Sequence, residues 1–393
     1  MALLTPTAIS KTKGTAPESS VLLCLSHLRW NFVFQRPQHL LTRAAKTHQV
    51  LYFEEPVYEA VARPFMRATE PSTNIRVLTP VLPEGTAASD AVDLQRMLLD
   101  NALASLQYDR LVLWYYTPMA LPFSDHIDCD VCVYDCMDEL SAFKNAPREL
   151  LQMERLLMQR ADVVFTGGQS IYEAKRRLHK SIYPFPSSID VAHFHKARRP
   201  LNDPADQASI PHPRVGFAGV LDERLDIKLL NEAAAAMPDV QFVMIGPVVK
   251  IDPADLPRLP NIHWLGSKSY MELPSYMAGW DAGWMPFALN EATRYISPTK
   301  TPEFLAAGLP VVSTAIVDVV RSYGAQGLVQ IADSEDIEEK LREALGNPKD
   351  LLRNSVDSYL GTMSWDQTWN GMSAQLSRVS RPSIDAAAIR VGA

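Results

Sequence analysis

The sequence contains few cysteines, and their positions argue against metal binding. Only four of the 393 residues are cysteine, which is too few for a disulfide scaffold and fits reduced thiols in the cytoplasm. Cys129 and Cys132 have the C-x-x-C spacing of some metal sites, but only Cys136 lies nearby. In a strand such as VCVYDCM, alternate side chains point to opposite faces. We therefore expect neither a zinc nor an iron–sulfur site.

Segments that cross or target membranes are also missing. No apolar run approaches the roughly 18 residues of a membrane-spanning helix. The first 20 residues, MALLTPTAISKTKGTAPESS, lack the apolar core of a signal peptide, so we expect residues 1–20 to be a disordered leader. The sequence therefore predicts a cytoplasmic protein in which any contact with a membrane is peripheral.

Fingerprints of several other classes of protein are missing as well. No G-x-G-x-x-G follows the apolar segment from Val21 to Leu28, which argues against a dehydrogenase. No D-x-D motif for a metal stands in a suitable loop, because Asp128 and Asp130 lead directly into a strand. The formal net charge of −7 argues against nucleic acid as a partner. A dehydrogenase and a nucleic-acid-binding protein are therefore both disfavoured.

A basic run, KRRLHK, interrupts this acidic background at residues 175–180. Its basic residues are Lys175, Arg176, Arg177, His179 and Lys180. Such a run could meet the anionic inner face of a plasma membrane. A solvated helix face is the simpler explanation. Peripheral membrane association therefore stays open as an alternative.

Short β-branched runs alternate with helical segments along most of the chain. One series begins at Val21 and a second at RVGFAGVL, after a stretch rich in proline, histidine and arginine. This alternation predicts parallel sheets wrapped by helices. A chain of 393 residues exceeds what one hydrophobic core usually supports. We therefore predict an α/β protein with two Rossmann-like domains, and ligands in the cleft beyond the carboxyl ends of their strands.

The segment SPTKTPEFLAAGLPVVST, residues 297–314, joins a polar loop, a short helix and a buried strand around Glu303. The helix N-terminus presents unpaired amides and Lys300 adds a full positive charge, so this end, with Thr299, predicts a phosphate site. Glu303 would accept hydrogen bonds from sugar hydroxyls. Taken alone, an acidic residue here could simply complement the helix dipole.

The pattern K-x-x-E-[FY]-L-A-x-G-x-P-V-V in this segment resembles the donor-binding segment of GT-B glycosyltransferases, especially the retaining family 4 enzymes, or glycosyl transferases group 1. Further similar segments follow the family's order: RWNFVFQRPQHLL, which resembles a bacterial polysaccharide subgroup, then PFPSSIDVAHF, then SWDQTWNGMSAQL. The resemblance covers about residues 21–376 and implies the GT-B fold. Residues 21–200 would form the acceptor domain and residues 201–362 the nucleotide-sugar donor domain. Residues 363–393 would form a helix that crosses back, and a tail.

The resemblance also implies roles in the donor domain. Glu303 matches the glutamate that grips the donor ribose. Arg224 and Lys228 match a basic pair that neutralises the donor pyrophosphate and stabilises the departing nucleoside diphosphate. Arg224 is the better candidate and would also be catalytic, whereas Lys228 could be structural. Gly219 follows the first strand of this domain, where a glycine allows close approach of the backbone to a ligand.

The family commonly has a second glutamate eight positions before the one that Glu303 matches. This sequence has Tyr295 there instead. The loop that holds Tyr295 also contains Asn290, Glu291 and Thr293, which could bind sugar hydroxyls instead. All three could equally satisfy only their own loop, and this simpler explanation is favoured for Glu291.

The N-terminal domain supplies the remaining candidates. Tyr116 ends a strand where the family often places a histidine beside the donor sugar, so it is a catalytic candidate at that position. Asp135 and Asp138 close the next strand, and one of them could accept a proton from the acceptor hydroxyl or orient it. We predict this catalytic role for Asp135, with Asp138 on the acceptor side or as a helix cap. Arg36 begins a helix and could contact donor phosphate or an acidic acceptor.

These observations predict a glycosyltransferase that moves a sugar from a nucleotide-diphosphate donor to a hydroxyl acceptor, with retention and without metal or other cofactor. The expected acceptor is a glycan or lipid-linked glycan of exopolysaccharide or cell-envelope synthesis. A nucleotide-sugar epimerase of the same fold remains an alternative. So does a noncatalytic nucleotide-sugar-binding protein, because Tyr116 and Tyr295 replace expected family residues.

Overall fold

The structure is a computed structural model that describes residues 19–349 and 351–379. Residues 1–18 of the predicted leader and residues 380–393 of the predicted tail lie outside the described residues. Of the predicted leader, Ser19 and Ser20 are described, and Ser20 begins the first strand.

The first half of the chain forms a nine-stranded sheet with the order β3-β5-β2-β1-β6-β7-β8-β9. Its strands are β1 (Ser20–Leu25), β2 (Gln49–Phe53), β3 (Val57–Glu59), β4 (Phe65–Ser72), β5 (Ile75–Pro83), β6 (Arg110–Tyr115), β7 (Val131–Cys136), β8 (Val163–Thr166) and β9 (Ile182–Pro184). Neighbours along this path pair in parallel, for example β1 with β2 and β6. Strand β4 pairs with β5 in the antiparallel sense.

The second half forms a six-stranded parallel sheet with the order β12-β11-β10-β13-β14-β15. Its strands are β10 (Arg214–Ala218), β11 (Gln241–Ile245), β12 (Ile262–Gly266), β13 (Ala282–Met285), β14 (Val311–Ser313) and β15 (Gln330–Ile331). The predicted α/β class with two largely parallel sheets is confirmed.

Most of the helices lie in the connections between parallel strands. They are α1 (Arg36–Ala44), α2 (Ala88–Ala104), α3 (Leu121–Ser124), α4 (Leu150–Arg160), α5 (Gln169–Lys175), α6 (Val191–Phe194), α7 (Ile227–Ala236), α8 (Leu273–Ala278), α9 (Lys300–Ala306), α10 (Val317–Ser322), α11 (Ile337–Gly346), α12 (Arg353–Leu360) and α13 (Trp365–Val379). Such crossover helices cover a parallel sheet on both faces.

Strand β1 shows why the central strands are almost continuously apolar. Its sequence is SVLLCL, and alternate side chains leave the sheet on opposite sides. Leu23 and Leu25 belong to one buried cluster, whereas Leu22 and Cys24 belong to another on the opposite face. Because helices cover both faces, each face must be apolar, and burial of this surface is the main stabilising contribution.

The last helix, α13, packs on the first sheet rather than on the second. Its Trp365, Trp369 and Leu376 are buried in the cluster that contains Trp114 of β6. The rings of Trp114 and Trp369 have centroids 6.1 Å apart. The predicted division at residues 200 and 362 stays a prediction, although the sheets themselves lie within residues 20–184 and 214–331.

Helices α5 and α10 join the two halves of the chain at one side. The Asp318 carboxylate of α10 accepts hydrogen bonds from the Ser170 amide, 3.2 Å from Oδ1, and from the Ser170 hydroxyl. Arg321 Nη2 lies 2.9 Å from Glu173 Oε2. We call these four residues the α5–α10 latch. These contacts link the helix that follows β8 to the helix that follows β14.

Candidate active site

A cleft lies between the two sheets, beyond the carboxyl ends of strands β7 and β10. Six residues that were predicted from the sequence line it together: Arg36, Asp138, Gly219, Arg224, Thr299 and Lys300. The first two come from the first half of the chain and the other four from the second. The fold therefore brings together candidates that are far apart in sequence, as expected for an open α/β sheet.

Gly219 follows β10 directly and faces this cleft. A Cβ atom at this position would lie 3.0 Å from the Phe217 ring and 3.8 Å from Lys300 Cε. A side chain here would therefore press on Phe217 and reduce the space beside Lys300. The absence of a side chain leaves room for a ligand beside the backbone, and contact of Gly219 with the donor stays a prediction.

Arg224 is half-buried, and its guanidinium group has partners on both sides of the cleft. Its Nη2 and Nε donate to the Asp222 carboxylate, at 2.7 Å to Oδ2 and 2.9 Å to Oδ1. The guanidinium carbon lies 5.5 Å from the ring centroid of Phe143, a residue of the first half. Lys250 Nζ lies 4.9 Å from the same ring. Two cations of the second half therefore meet over one aromatic side chain that the sequence did not single out.

Lys300 and Glu303 form an ion pair at the start of α9. Lys300 Nζ lies 2.8 Å from Glu303 Oε2, and Glu303 is only 5% exposed. Burial raises the pKa of the Glu303 carboxyl, and the Lys300 charge opposes this rise. Among the described residues that line the cleft, Lys300 is present and Glu303 is not. The ribose contact predicted for Glu303 therefore needs Lys300 to move, and it stays a prediction.

The helix that begins at Lys300 is shorter than two full turns. It has seven residues, and Thr299 precedes it without a side-chain capping hydrogen bond. A helix this short has a small dipole, so phosphate binding here would depend mainly on the Lys300 charge.

Tyr270 is a further residue of this region that sequence reasoning missed. Its ring stacks on Phe34 of the first half, with centroids 4.6 Å apart, and on His193, with centroids 4.2 Å apart. Burial and then the nearby Glu303 charge raise the pKa of the Tyr270 hydroxyl. Tyr270, Phe34 and Lys300 also line a cavity that adjoins the cleft. No local motif marks Tyr270, because its partners lie far away in sequence.

Arg36 lines the floor of the cleft, and Asp135 lies beneath it, bound to Arg36. Arg36 Nε and Nη2 donate to the two Asp135 oxygens at 3.0 and 2.9 Å, and Arg36 Nη1 donates to the Phe185 carbonyl at 2.7 Å. Burial raises the pKa of Asp135, against the opposing charge of Arg36. Tyr116 is buried beside them, and burial followed by the Asp135 charge raises its pKa. The catalytic roles predicted for Asp135 and Tyr116 stay predictions.

Asp138, in contrast, reaches the cleft itself. It caps neither of the helical segments that follow, whose N-cap residues are Glu139 and Glu149. Burial raises the pKa of Asp138, the positive charges of Arg224 and Arg36 oppose that rise, and two neighbouring carboxylates reinforce it. Within the described residues, the Asp138 carboxylate forms neither a hydrogen bond nor an ion pair. It is therefore a carboxylate that remains available to a ligand.

Asn290 and Thr293 bond mainly to their own loop. Thr293 N donates to Asn290 Oδ1 at 3.1 Å, and Asn290 N donates to the Thr293 hydroxyl at 3.0 Å. Thr293 is buried and Asn290 is exposed, with its amide nitrogen 3.2 Å from the Glu223 carbonyl. These bonds show how the loop is held, and binding of sugar hydroxyls stays a prediction for both residues.

Tyr295 extends the contact between the two halves. Its side chain packs against the buried cluster of the first sheet, which contains Tyr134 and Ile171. The position where the family shows a second glutamate therefore carries a residue that packs across the interface instead.

Across residues 19–349 and 351–379, no group of three or more His, Cys, Asp or Glu side chains is arranged to hold a metal ion. In that same part of the chain, none of the helices has both the length and the apolar character to span a membrane.

Sequence comparisons place relatives of this chain among glycosyltransferases. Residues 212–347 match the family described as "Glycosyl transferases group 1". A Bacillus subtilis (strain 168) protein named "Putative teichuronic acid biosynthesis glycosyltransferase TuaH" is 31% identical over 238 residues. That alignment covers 55% of this chain and 59% of the relative, so the chain spans less than two thirds of the relative's length.

Three solved structures share the fold. Sucrose-phosphate synthase from Thermosynechococcus elongatus has a TM-score of 0.70 at 15% identity, over 92% of this chain and 99% of that chain. An E. coli structure titled trehalose-6-phosphate bound with UDP-2-fluoro glucose gives 0.68 at 13% identity, over 91% and 99%. WaaG, a glycosyltransferase involved in lipopolysaccharide biosynthesis, gives 0.62 at 16% identity, over 91% and 99%. At these identities the likeness shows the fold alone, and the chain has the predicted GT-B fold.

Proposed function

We propose that the chain is a glycosyltransferase of the group 1 type that moves a sugar from a nucleotide-diphosphate donor to a hydroxyl acceptor. The observation that carries this proposal is the convergence of Arg224 and Lys300 on one cleft of a GT-B fold. Both residues lie in the segment that matches the group 1 family. Within the proposal, residues 201–362 bind the donor and residues 21–200 receive the acceptor.

In the proposed donor complex, Arg224 and Lys300 exchange carboxylate partners for the diphosphate. The guanidinium group of Arg224 now binds Asp222 at two points, a geometry that a diphosphate can reproduce. When Lys300 turns toward the phosphate, the Glu303 carboxylate becomes free to accept hydrogen bonds from the ribose. The neighbouring backbone at Gly219 leaves room for this approach.

During transfer, the bond between the anomeric carbon and the diphosphate oxygen breaks while the acceptor oxygen bonds to that carbon. Negative charge grows on the leaving diphosphate, and the fixed charges of Arg224 and Lys300 stabilise it. These two cations can supply the stabilisation without a metal ion, and we keep metal independence as part of the proposal. Retention of configuration is also proposed, on the resemblance to retaining enzymes.

We assign the acceptor hydroxyl to Asp138 rather than to Asp135. Asp138 lines the cleft opposite the donor side, whereas Asp135 is buried and held by Arg36 at two points. A carboxylate beside phosphate-binding cations weakens their attraction for a diphosphate. Donor binding alone therefore does not explain the position of Asp138. Its position is explained if Asp138 orients the acceptor hydroxyl or accepts its proton. Arg36, at the floor of the cleft, and Tyr116, buried below it, then act as positioning residues.

The acceptor class is proposed from the relatives. The Bacillus subtilis relative is named for teichuronic acid biosynthesis, and WaaG is described as involved in lipopolysaccharide biosynthesis. We therefore propose a cell-envelope glycan, free or lipid-linked, as the acceptor. A lipid-linked acceptor would place the protein at the inner face of the plasma membrane as a peripheral protein.

Release of nucleoside diphosphate tests the proposal against both alternatives. The full chain is incubated with a panel of nucleotide sugars, alone and with soluble glycans or a lipid extract as acceptors. A glycosyltransferase releases the diphosphate in proportion to added acceptor. An epimerase converts the sugar without any acceptor, and a binding protein retains the donor unchanged. Either of the last two results would overturn the proposed function.

A further inference from the structure

Three leucines lie exposed on one flank of the first half of the chain. Leu151 and Leu156 of α4 are 51% and 45% exposed, and Leu178, after the end of α5, is 60% exposed. With 100° of rotation per helical residue, Leu151 and Leu156 stand at the two edges of the outward face of α4, with Arg155 between them. Single exposed leucines are ordinary, so these three indicate a contact surface only together with the charges around them.

Two contacts bring α4 and the turn after α5 together. Lys175 Nζ, at the end of α5, lies 2.7 Å from Glu154 Oε1 of α4. His179 Nε2 lies 2.9 Å from the Ala161 carbonyl, at the end of α4. Leu178 therefore lies beside the end of α4, and we call Leu151, Leu156 and Leu178 the leucine surface.

The same contacts revise the basic run seen in the sequence. Lys175 is buried and bonded to Glu139 and Glu154, so it contributes no charge to the surface. His179 is likewise held by the backbone of α4. The remaining members of the run, Arg176, Arg177 and Lys180, are exposed.

Positive charge surrounds the leucine surface. Its exposed cations are Arg148, Arg155, Arg176, Arg177 and Lys180. Within residues 19–349 and 351–379, none of these five forms an ion pair with an acidic side chain. Glu173 beside Arg176 is bound to Arg321, and Glu149 before α4 is an exposed acidic residue of this region. The balance of charge is therefore positive, on a protein whose net charge is −7.

We propose that α4 and the 176–180 turn bind an anionic lipid surface. The leucines would enter the boundary between headgroups and acyl chains, while the arginines and the lysine pair with the lipid phosphates. The inference deepens the proposed function by naming the membrane surface as a partner. The role of this membrane contact rests on the proposed function, because the contact would keep the cleft near a lipid-linked acceptor.

Charge complementarity favours lipid over a second copy of the chain. A symmetric contact between two copies would set the same five cations against each other. An anionic bilayer offers negative charge over the whole area and an apolar layer beneath it. No single deep groove is needed, which agrees with leucines that stand out from a convex helix face.

Sedimentation with vesicles tests the proposal without any sugar donor. The full chain is mixed with vesicles of equimolar phosphatidylglycerol and phosphatidylcholine, or of phosphatidylcholine alone. We expect binding to the anionic vesicles only, weakened by about 0.5 M salt because the ionic part is screened. Because no turnover is measured, this result is independent of the catalytic assignment.

Leucine variants then locate the apolar part of the contact. The triple variant Leu151→Ser, Leu156→Ser and Leu178→Ser should lower the vesicle partition coefficient at least about tenfold. Leu351→Ser is the matched control, because Leu351 is equally exposed at 62% but lies in the second half of the chain. The control should bind as the parent does, and thermal unfolding checks that all variants are folded.

Charge variants locate the ionic part. The triple variant Arg155→Glu, Arg176→Glu and Arg177→Glu should also lose at least about tenfold in partition and should lose its salt dependence. Arg63→Glu, at another exposed position, is the matched control. Failure of the parent protein to bind anionic vesicles would overturn the proposal. So would equal binding by the parent and both triple variants, or a parent dimer that the leucine variant dissociates.

Discussion

Arg36 and Asp135 form a two-point ion pair at the floor of the cleft, with both side chains almost completely buried at 2% and 0% exposure. Arg36 also holds the Phe185 carbonyl, at the start of the segment that leads to the second half. A buried pair of this kind is destabilising to break, because the remaining charge loses its partner in a poorly solvated place. Asp135 therefore stabilises the fold as the counter-charge of Arg36.

Asp135 and Asp138 should consequently respond differently to the same substitution. Asp135→Asn leaves Arg36 without its counter-charge and should lower the free energy of unfolding by roughly 3 kcal/mol. Asp138→Asn should leave stability nearly unchanged but lower turnover roughly 10²–10⁴-fold, the range for an acid–base group. Urea unfolding and acceptor-dependent release of nucleoside diphosphate measure the two effects. Normal turnover by Asp138→Asn with the true acceptor would remove Asp138 from the mechanism.

Glu303 should contribute to binding of the intact donor. If its carboxylate receives ribose hydroxyls, Glu303→Ala should weaken nucleotide-sugar binding by about 1.5–3 kcal/mol, the range for hydrogen bonds to a charged group. Titration calorimetry measures the change, and Glu339→Ala, an exposed acidic residue of α11, is the control. An unchanged affinity in Glu303→Ala would show that Glu303 only holds Lys300.

The α5–α10 latch should control how far the cleft opens. Asp318→Ala and Ser170→Ala, measured singly and together, should show a coupling free energy of about 0.5–3 kcal/mol. Either variant should also enlarge the radius of gyration in small-angle scattering, and bound donor should reverse this. Arg321→Ala removes an exposed ion pair with Glu173 and a longer one, 3.5 Å, with Asp318, and should cost at most about 1 kcal/mol. Additive effects of the Asp318 and Ser170 variants would contradict a direct contact.

His39 should make stability depend on pH. Burial, followed by the charges of Arg43, Lys300 and His193, lowers the pKa of His39 to about 3, and its ring stacks on Trp365. The folded state keeps His39 neutral, whereas the unfolded chain takes up a proton below about pH 6.5. His39 therefore costs the folded state no stability above about pH 6.5, and the loss of stability grows as the pH falls toward 3.

Between pH 7 and pH 5, this single group should cost about 2 kcal/mol of stability. Urea unfolding at the two pH values measures the difference in the parent protein. His39→Phe keeps an aromatic ring against Trp365 and should show a correspondingly smaller loss. The same loss in both proteins would assign the pH dependence to other groups.

Local patterns in the sequence predicted the fold and part of the site. Alternating apolar runs and helices predicted the two parallel sheets, because strand and helix periods are local properties of the chain. Gly219, Arg224 and Lys300 could be found because each lies next to a strand end or helix start. Their meeting in one cleft then follows from the general architecture of open sheets.

Other features of the site depend on contacts between distant segments, and no local pattern reveals them. Asp135 and Arg36 are 99 positions apart, so the sequence alone does not show that the Asp135 carboxylate at the strand end is bound by Arg36. Lys175 belongs to a basic run in the sequence, but its side chain is buried and pairs with the carboxylates of Glu139 and Glu154. Phe143 and Tyr270 enter the region through aromatic contacts across the two halves. Such pairings appear only once the chain is folded.

The most direct test of the account is whether the cleft binds a nucleoside diphosphate through Arg224. Calorimetric titration of UDP, GDP and ADP into the parent protein, Arg224→Ala and Lys228→Ala makes the comparison. Lys228 is the control because its side chain is 83% exposed and pairs with Glu232 outside the cleft. We expect one diphosphate to bind the parent, Arg224→Ala to lose about 1.5–3 kcal/mol of binding free energy, and Lys228→Ala to bind normally. Absence of binding to the parent, or equal losses in both variants, would contradict the account.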